Sequence, residues 1–392
     1  MKRNLFSFLV ILLTLGIIVA VAFGNADLAN AWGALFTMDW RWVLAALLGW
    51  FVYMFFDMLG TRYYLSRNDH PISLRYALYI TLIGFYYTNI TPAALGGQPM
   101  QVYYLSKRKV PVAIGTSMIS IKFFAQQMMV VLLATSVWLG NAAFVQRQLG
   151  GVTWAIWIGY ILNFASIPLI LLAALHRPLI QAVVNFLIRL GARLKIVKRP
   201  EDTILRVSSG LDVYHASMLR LGKHPGQLVG QLLLAGTSLL GLMSVSYSVY
   251  RAFGLSGTPW YDLLTVAILL CLSASHTPLP GASGAQEGGF LVFYHGIFTQ
   301  GTIGLGLLVW RFCTYYLFLL IGMGMMIVSN VRAGRLERAA RAAARAGGPS
   351  PNVPAAGPAA SPPDSAPIAP EEANASPESL TAFTQTSASA RD

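Results

Sequence analysis

Residues 76–109 read YALYITLIGFYYTNITPAALGGQPMQVYYLSKRK, and how this stretch sits in an apolar phase decides the fold. Two apolar arms, 76–90 and 97–106, flank the break Thr91-Pro92-Ala93-Ala94-Leu95-Gly96-Gly97-Gln98. Proline removes a helix donor and glycine permits a chain reversal. As helices the arms would be roughly 22 and 15 Å long, short of a hydrocarbon core of roughly 30 Å. Arg62, Arg67 and Arg75 precede the segment and Lys107-Arg108-Lys109 follow it. A single crossing would put the loop 176–226, with its nine Lys/Arg, on the outer side, against the bias of basic residues toward the inner side. Entry and return on one side places 22 of the 28 basic residues inside. Arg41, Arg147 and Arg251 then lie outside, Lys122 and Arg311 within the membrane and Arg391 in the tail. The segment therefore reads as a re-entrant hairpin; a pair of tilted, shortened spans keeps the same parity and is the alternative.

Composition agrees with a membrane chain. Of 392 residues, 55% are hydrophobic and 11% charged, where a soluble domain carries about a quarter charged residues. Apolar runs at 5–23, 42–59, 112–139, 152–175, 227–250 and 302–328 are long enough to cross. This predicts an all-α polytopic helical bundle with about six full spans plus two hairpins. It excludes a soluble enzyme, a nucleic-acid reader and a disulfide scaffold. The net charge of +13 belongs to the body, because the segment from 332 onward is neutral. Such an excess orients the chain and meets anionic lipid, with both termini cytoplasmic and no nucleic acid as partner. Cys271 and Cys313 stand in apolar runs as packing residues, and no metal or cofactor is expected.

A second interrupted segment, 262–300, has arms 262–276 and 287–300 and starts and ends on the outer side by the same count. Its break, Thr277-Pro278-Leu279-Pro280-Gly281-Ala282-Ser283-Gly284-Ala285-Gln286-Glu287, echoes the first: Thr-Pro, small residues, then Gln. Lys122 follows Gln98 by 24 residues and Arg311 follows Gln286 by 25. Residues 42–139 and 227–328 thus repeat the order span, hairpin, span with opposite orientation. Paired interrupted segments in opposed halves point to a transport site at the repeat interface.

Asp57, Lys122, Glu287 and Arg311 are placed at membrane depth, where an ionisable group is a functional candidate or half of a buried ion pair. Asp57 is the charge partner. For a phospholipid, Lys122 and Arg311 would attract the phosphate, as a point charge and a planar fork. Helix starts near Gly97 and Gly284 add backbone N–H groups suited to an anion. Asn89, Gln98 and Gln286 could hold glycerol or amine groups, and Glu287 could pair an ammonium or take a proton. Pro92, Gly96, Pro280 and Gly281 shape the breaks. His276 and His295 stand near the second hairpin and titrate near neutral pH when unperturbed. No nucleophile triad or phosphate loop occurs, so no catalytic residue is assigned; Ser283 is a helix break. The body extends over 1–331. Within it, 176–226 holds Leu179, Val183, Phe186, Leu187 and Leu190 at helical spacing, an amphipathic helix suited to the inner leaflet. An Arg-rich helix, 332–346, and a Pro/Ala/Ser tail, 347–392, expected to be disordered, follow.

These motifs resemble the lysylphosphatidylglycerol synthase transmembrane family, or flippase-like domain. Its members carry Asn-x-x-Pro…Gly-Gly-x-Pro and Leu-Pro-x-Pro-Gly-x-x-Gly-x-x-Glu. Here these correspond to Asn89-Ile90-Thr91-Pro92 with Gly96-Gly97-Gln98-Pro99, and to Thr277-Pro278-Leu279-Pro280-Gly281 with Gly284 and Glu287. The likeness covers roughly residues 5–330. It implies a bundle of the bacterial cytoplasmic membrane that moves a lipid between leaflets. The similar N-terminal region of the multiple peptide resistance factor translocates aminoacylated phosphatidylglycerol, and a separate cytoplasmic domain makes that lipid. The chain departs from the pattern at Gln98, where many members have Glu, and at Lys122, where Arg is frequent. The segment after 331 has no room for the synthetase domain, so no tRNA-dependent transfer is expected.

The expectation is a flippase-like transporter of phosphatidylglycerol or its aminoacyl form, with membrane phospholipid as partner. A membrane-embedded lipid-modifying enzyme and a non-transporting partner of a separate lipid synthase are the alternatives.

Overall fold

A computed structural model describes residues 36–328 except 92, 93, 95, 194–199 and 300, together with positions 16, 33, 331 and 335. The expected first span (5–23), Arg-rich helix (332–346) and tail (347–392) lie outside the described residues, positions 16 and 335 apart.

Among the described residues, five helices are long and apolar enough to cross a membrane: α1 (Trp40–Arg67), α4 (Val112–Gly140), α6 (Thr153–Leu175, continuing the short α5, Ala142–Leu149), α9 (Pro225–Ala252) and α12 (Ile303–Val328). The two interrupted segments form helix–break–helix units. The first is α2 (Leu74–Ile90) and α3 (Gly97–Ser106); the second is α10 (Trp260–Ala274) and α11 (Ala285–Phe293). The return arm of the second ends at Phe293, earlier than the apolar run to 300 suggests, because Tyr294–Phe298 turns back on itself through Ile297 and Phe298 N–H bonds to the Tyr294 carbonyl. The segment after α6 folds as two helices, α7 (Arg177–Arg193) and α8 (Pro200–Lys223), joined by an Arg177–Asp212 ion pair. On α7, Leu179, Val183, Phe186 and Leu190 are exposed together, the apolar stripe the spacing predicts.

Local chemistry sets the helix boundaries. The Asp39 carboxylate accepts the Arg41 N–H at the start of α1, and the Ser73 hydroxyl accepts the Tyr76 N–H at the start of α2. Pro111 precedes α4 and Pro225 opens α9, where a missing N–H has no helical partner to lose.

Helices α1 and α9 run antiparallel along their full lengths. The Asp39 N–H bonds the Ala252 carbonyl, Trp42 packs edge-on against Tyr247 and the Ser238 hydroxyl bonds the Tyr53 carbonyl. Where they cross, a Cβ at Gly49 would lie 2.7 Å from the Gly241 carbonyl oxygen, and one at Gly241 would lie 3.0 Å from that of Gly49. Small residues allow this close backbone approach, which is how membrane helices gain packing without a hydrophobic drive. Antiparallel first spans send the hairpins that follow them in from opposite ends of the bundle.

Each hairpin leans on the other set's last span. Phe85 of α2 packs against Phe318 of α12 with ring centroids 4.6 Å apart, while Asp262 and Thr265 of α10 accept hydrogen bonds from Asn141 at the end of α4. The outer surface is apolar: Leu44, Leu48 and Phe51 on α1, and Trp157, Ile161 and Phe164 on α6, are exposed. In water such a belt would be a sticking surface, whereas against lipid it is the expected exterior. The chain is an all-α, multi-pass membrane protein.

Candidate functional site

The first hairpin closes through three contacts that fix its arms antiparallel. The Tyr76 hydroxyl donates to the Tyr104 carbonyl at 2.5 Å, the buried Gln101 amide donates to the Ile80 carbonyl at 3.2 Å, and Gly97 sits against Gly84 and Thr88. A Cβ at Gly97 would overlap the Thr88 hydroxyl, so the arms meet this closely only without one. At the tip, the Gly96 N–H donates to the Thr91 hydroxyl, which in turn donates to the Tyr87 carbonyl. Pro92 lies outside the described residues.

The second tip is held differently. Gly281 adopts φ +60° and its absent Cβ leaves room for the Tyr315 ring. Pro280 is buried, and its carbonyl accepts the Ser283 hydroxyl at 2.7 Å, so Ser283 serves the turn. Gly284, at φ +87°, donates its N–H to Glu287 Oε2 at 2.6 Å. Glu287 thereby caps the start of α11, where a carboxylate also meets the positive helix end. Both tips hold an alanine in the left-handed region, Ala94 at φ 58° and Ala282 at φ 52°. That conformation costs roughly 1–2 kcal/mol for an L-residue and is retained where surroundings over-determine it.

Arg311 organises the second tip. Its Nε donates to Glu287 Oε1 at 2.7 Å and its Nη2 to the Gly281 carbonyl at 2.9 Å. The guanidinium carbon lies 4.8 Å from the centroid of the Tyr315 ring. Arg311 is 3% exposed and Glu287 7%, so both members of the pair are buried. Immediately after Arg311, α12 makes one π-helical turn, Phe312–Tyr316. Such bulges recur at functional sites. This turn also carries Tyr315, whose hydroxyl donates to the Asn89 carbonyl of the first hairpin at 3.1 Å.

Both tips and this turn open on one cavity of ≈ 620 Å³. The first hairpin contributes Asn89 and Gln98, the second His276, Gly281 and Gln286, and α12 contributes Arg311, Thr314 and Tyr315. Leu242 and Met243 of α9 and Phe123 of α4 supply apolar wall. Six of the candidate residues singled out in the sequence therefore meet at one place: Asn89, Gln98, His276, Gly281, Gln286 and Arg311. Glu287 stands behind Arg311, while Gly96, Gly97, Pro280 and Gly284 shape the tips.

Lys122 is elsewhere. Its Nζ bonds Asp57 Oδ2 at 2.8 Å, the Asp57 carbonyl at 3.1 Å and the Thr61 hydroxyl at 2.8 Å, and Thr81 donates to the same Asp57 oxygen. The pair borders a separate void of ≈ 20 Å³ with Gln126 and Gln231, enough for one water-sized group. Helix geometry explains the division. Lys122 and Gln126 are one turn apart on the face toward α1 and α9, whereas Phe123 and Gln127 are one turn apart on the cavity face. Lys122 and Arg311, expected together on a phosphate, line different spaces.

Three contributors escape a sequence search built on charge. Tyr315 reads as one more aromatic in an apolar run, although it stands one turn after Arg311. Gln127 lines the cavity and donates to Asn163 and Ser166 of α6. Asn163 is fully buried and donates in turn to Ser275, which bonds His276 Nδ1 at 2.9 Å. A neutral polar residue inside a span was the available signal. His295 lies off the cavity, with its carbonyl bonded to Gln148.

A family model described as the lysylphosphatidylglycerol synthase TM region matches residues 4–322. No curated protein matches the chain.

Proposed function

Because the chain belongs to the lysylphosphatidylglycerol synthase TM region family, and because both hairpin tips face one cavity, we propose that it carries phospholipid headgroups between the leaflets of the bacterial cytoplasmic membrane. The observation that carries this reading is the buried Arg311 at the wall of a partly apolar cavity between two opposed hairpins. Phosphatidylglycerol and its aminoacyl form are the lipids in view. Arg311 presents a planar fork to a phosphodiester, and Asn89, Gln98 and Gln286 offer neutral hydrogen-bonding groups to the rest of the head. The acyl chains stay in lipid beside the apolar wall.

The hairpins then act as the two gates, inner and outer, with both termini cytoplasmic. The antiparallel pair α1–α9, locked at Gly49 and Gly241, is the fixed scaffold against which they rock. The Tyr315–Asn89 bond couples them, so a headgroup that shifts Arg311 and the adjoining π-turn also loosens the first hairpin.

The test is a leaflet-exposure assay. Purified protein is placed in vesicles holding headgroup-labelled phosphatidylglycerol, and a membrane-impermeant reductant bleaches the outer leaflet. Wild type is expected to abolish the protected half, and Arg311→Gln to restore it. Equal protection with wild type and in protein-free vesicles would sink the proposal.

A further inference from the structure

We propose that the cavity selects a headgroup of net negative charge, a phosphodiester carrying a neutral polyol, over the same lipid made cationic by an aminoacyl group. This rests on the reading of the cavity as a headgroup site.

The charges on its wall decide the matter. Among the described lining residues, Arg311 is permanently cationic and none is a carboxylate. The tip residues Pro92, Ala93 and Leu95 add no acid by sequence. The carboxylate bonded to the lining, Glu287, has both oxygens engaged: Oε1 with Arg311 at 2.7 Å and Oε2 with the Gly284 N–H at 2.6 Å. Turning it toward a ligand ammonium would unpair a buried guanidinium and uncap α11. Asp57 is committed to Lys122 and Thr81 beside the other void.

Of the aromatic rings on the wall, Phe123, Trp310 and Tyr315, two give an ammonium no better place. The Tyr315 and Trp310 rings, which could hold a cation, already face the Arg311 guanidinium at 4.8 and 5.8 Å. A second cation there would meet the first in a partly desolvated space. A phosphodiester meets the opposite situation, because among the described residues the guanidinium bonds protein through Nε and Nη2, and the rest of the fork remains for an anion. The hydroxyls of a polyol suit the neutral amides of Asn89, Gln98 and Gln286.

Arg311 and Glu287 together are neutral, so the selection rests on the guanidinium N–H groups left for an anion and on a wall without a free carboxylate for an ammonium, and it is expected to separate the two lipids by about tenfold in affinity. The experiment measures Kd by calorimetry on the full-length protein in detergent. The probes are dihexanoyl phosphatidylglycerol, its lysyl ester, dihexanoyl phosphatidylcholine and free glycerol phosphate. Phosphatidylglycerol is expected to bind at least about tenfold tighter than the lysyl ester, with Gln286→Glu and Gln98→Glu each narrowing or reversing the order. Both variants add a carboxylate while leaving the Arg311–Glu287 pair intact. Equal or tighter binding of the lysyl ester overturns the charge selection and leaves the lipid-carrier reading standing. Glycerol phosphate binding as tightly as the lipid keeps the charge selection and overturns the lipid premise. Absence of binding by every anionic probe overturns the inference, and movement of phosphatidylcholine in the leaflet assay then shows whether lipid transport survives it.

Discussion

Tyr315, in the π-helical turn of α12, donates its hydroxyl to the Asn89 carbonyl at 3.1 Å across 226 residues of chain. The bond ties the first hairpin to α12, and the same ring faces Arg311 and fills the space a Cβ at Gly281 of the second hairpin would need. Tyr315→Phe keeps the ring and removes only the bond. Its expected effect is a stability loss of about 1 kcal/mol and a severalfold change in headgroup movement. Thermal unfolding read beside the leaflet assay checks this; a lower unfolding temperature with an unaltered rate would make the bond a structural tie only.

The Arg311–Glu287 pair should behave as a buried unit. Glu287→Gln and Arg311→Met are each expected to cost about 3–5 kcal/mol, because each leaves an uncompensated charge. The double variant should recover much of that loss. A double-mutant cycle on unfolding free energies tests the coupling, and simple additivity would refute it.

The two left-handed alanines offer a test in the opposite direction. Ala94→Gly and Ala282→Gly relieve backbone strain and are expected to raise stability by up to about 1 kcal/mol each. Gly281→Ala should do the reverse and more, since its Cβ would enter the Tyr315 ring at a positive φ. Chemical denaturation of the purified protein gives the sign in each case.

Lys122 supports the fold from outside the cavity. Lys122→Met is expected to cost about 1–3 kcal/mol, below the range for a fully buried pair because the Lys122 and Asp57 side chains retain 14% and 19% exposure. Phosphatidylglycerol affinity should stay within about twofold of wild type, since the void beside Lys122 is ≈ 20 Å³ and separate from the cavity. Calorimetric titration of the variant decides it: a tenfold loss of affinity would place Lys122 in the binding site after all.

The crossing of α1 and α9 is a sensitive point of the scaffold. Gly49→Leu puts a side chain against the Gly241 carbonyl, and Gly241→Leu collides with Val52. Either is expected to destabilise by more than about 3 kcal/mol, as overpacking against backbone has no rotamer to escape into. Loss of monodisperse protein on gel filtration would register it, and normal behaviour of both variants would disprove a rigid crossing.

Much of this architecture was legible in one chain because the constraints are local. Apolar length separates spans from hairpin arms, and Pro with Gly marks the breaks; α2, α3, α10 and α11 begin within two residues of the apolar runs that announced them. The Glu287 and Arg311 positions were legible as charges in an apolar run. Their partners were not, because a carboxylate one residue beyond a break and one on a distant span look equally able to neutralise a base. Lys122 met Asp57 from 65 residues away, while Arg311 met Glu287 on the hairpin itself.

The membrane class, the interrupted segments and the residue types available at depth follow from the order of amino acids alone, all consequences of a solvent that rejects unpaired backbone and charge. Tertiary structure decided which of those residues share a space. A helix turns about 100° per residue, so one position of register sends Lys122 to the scaffold and Phe123 to the cavity, and only packing against α1, α9 and the two tips sets that rotation.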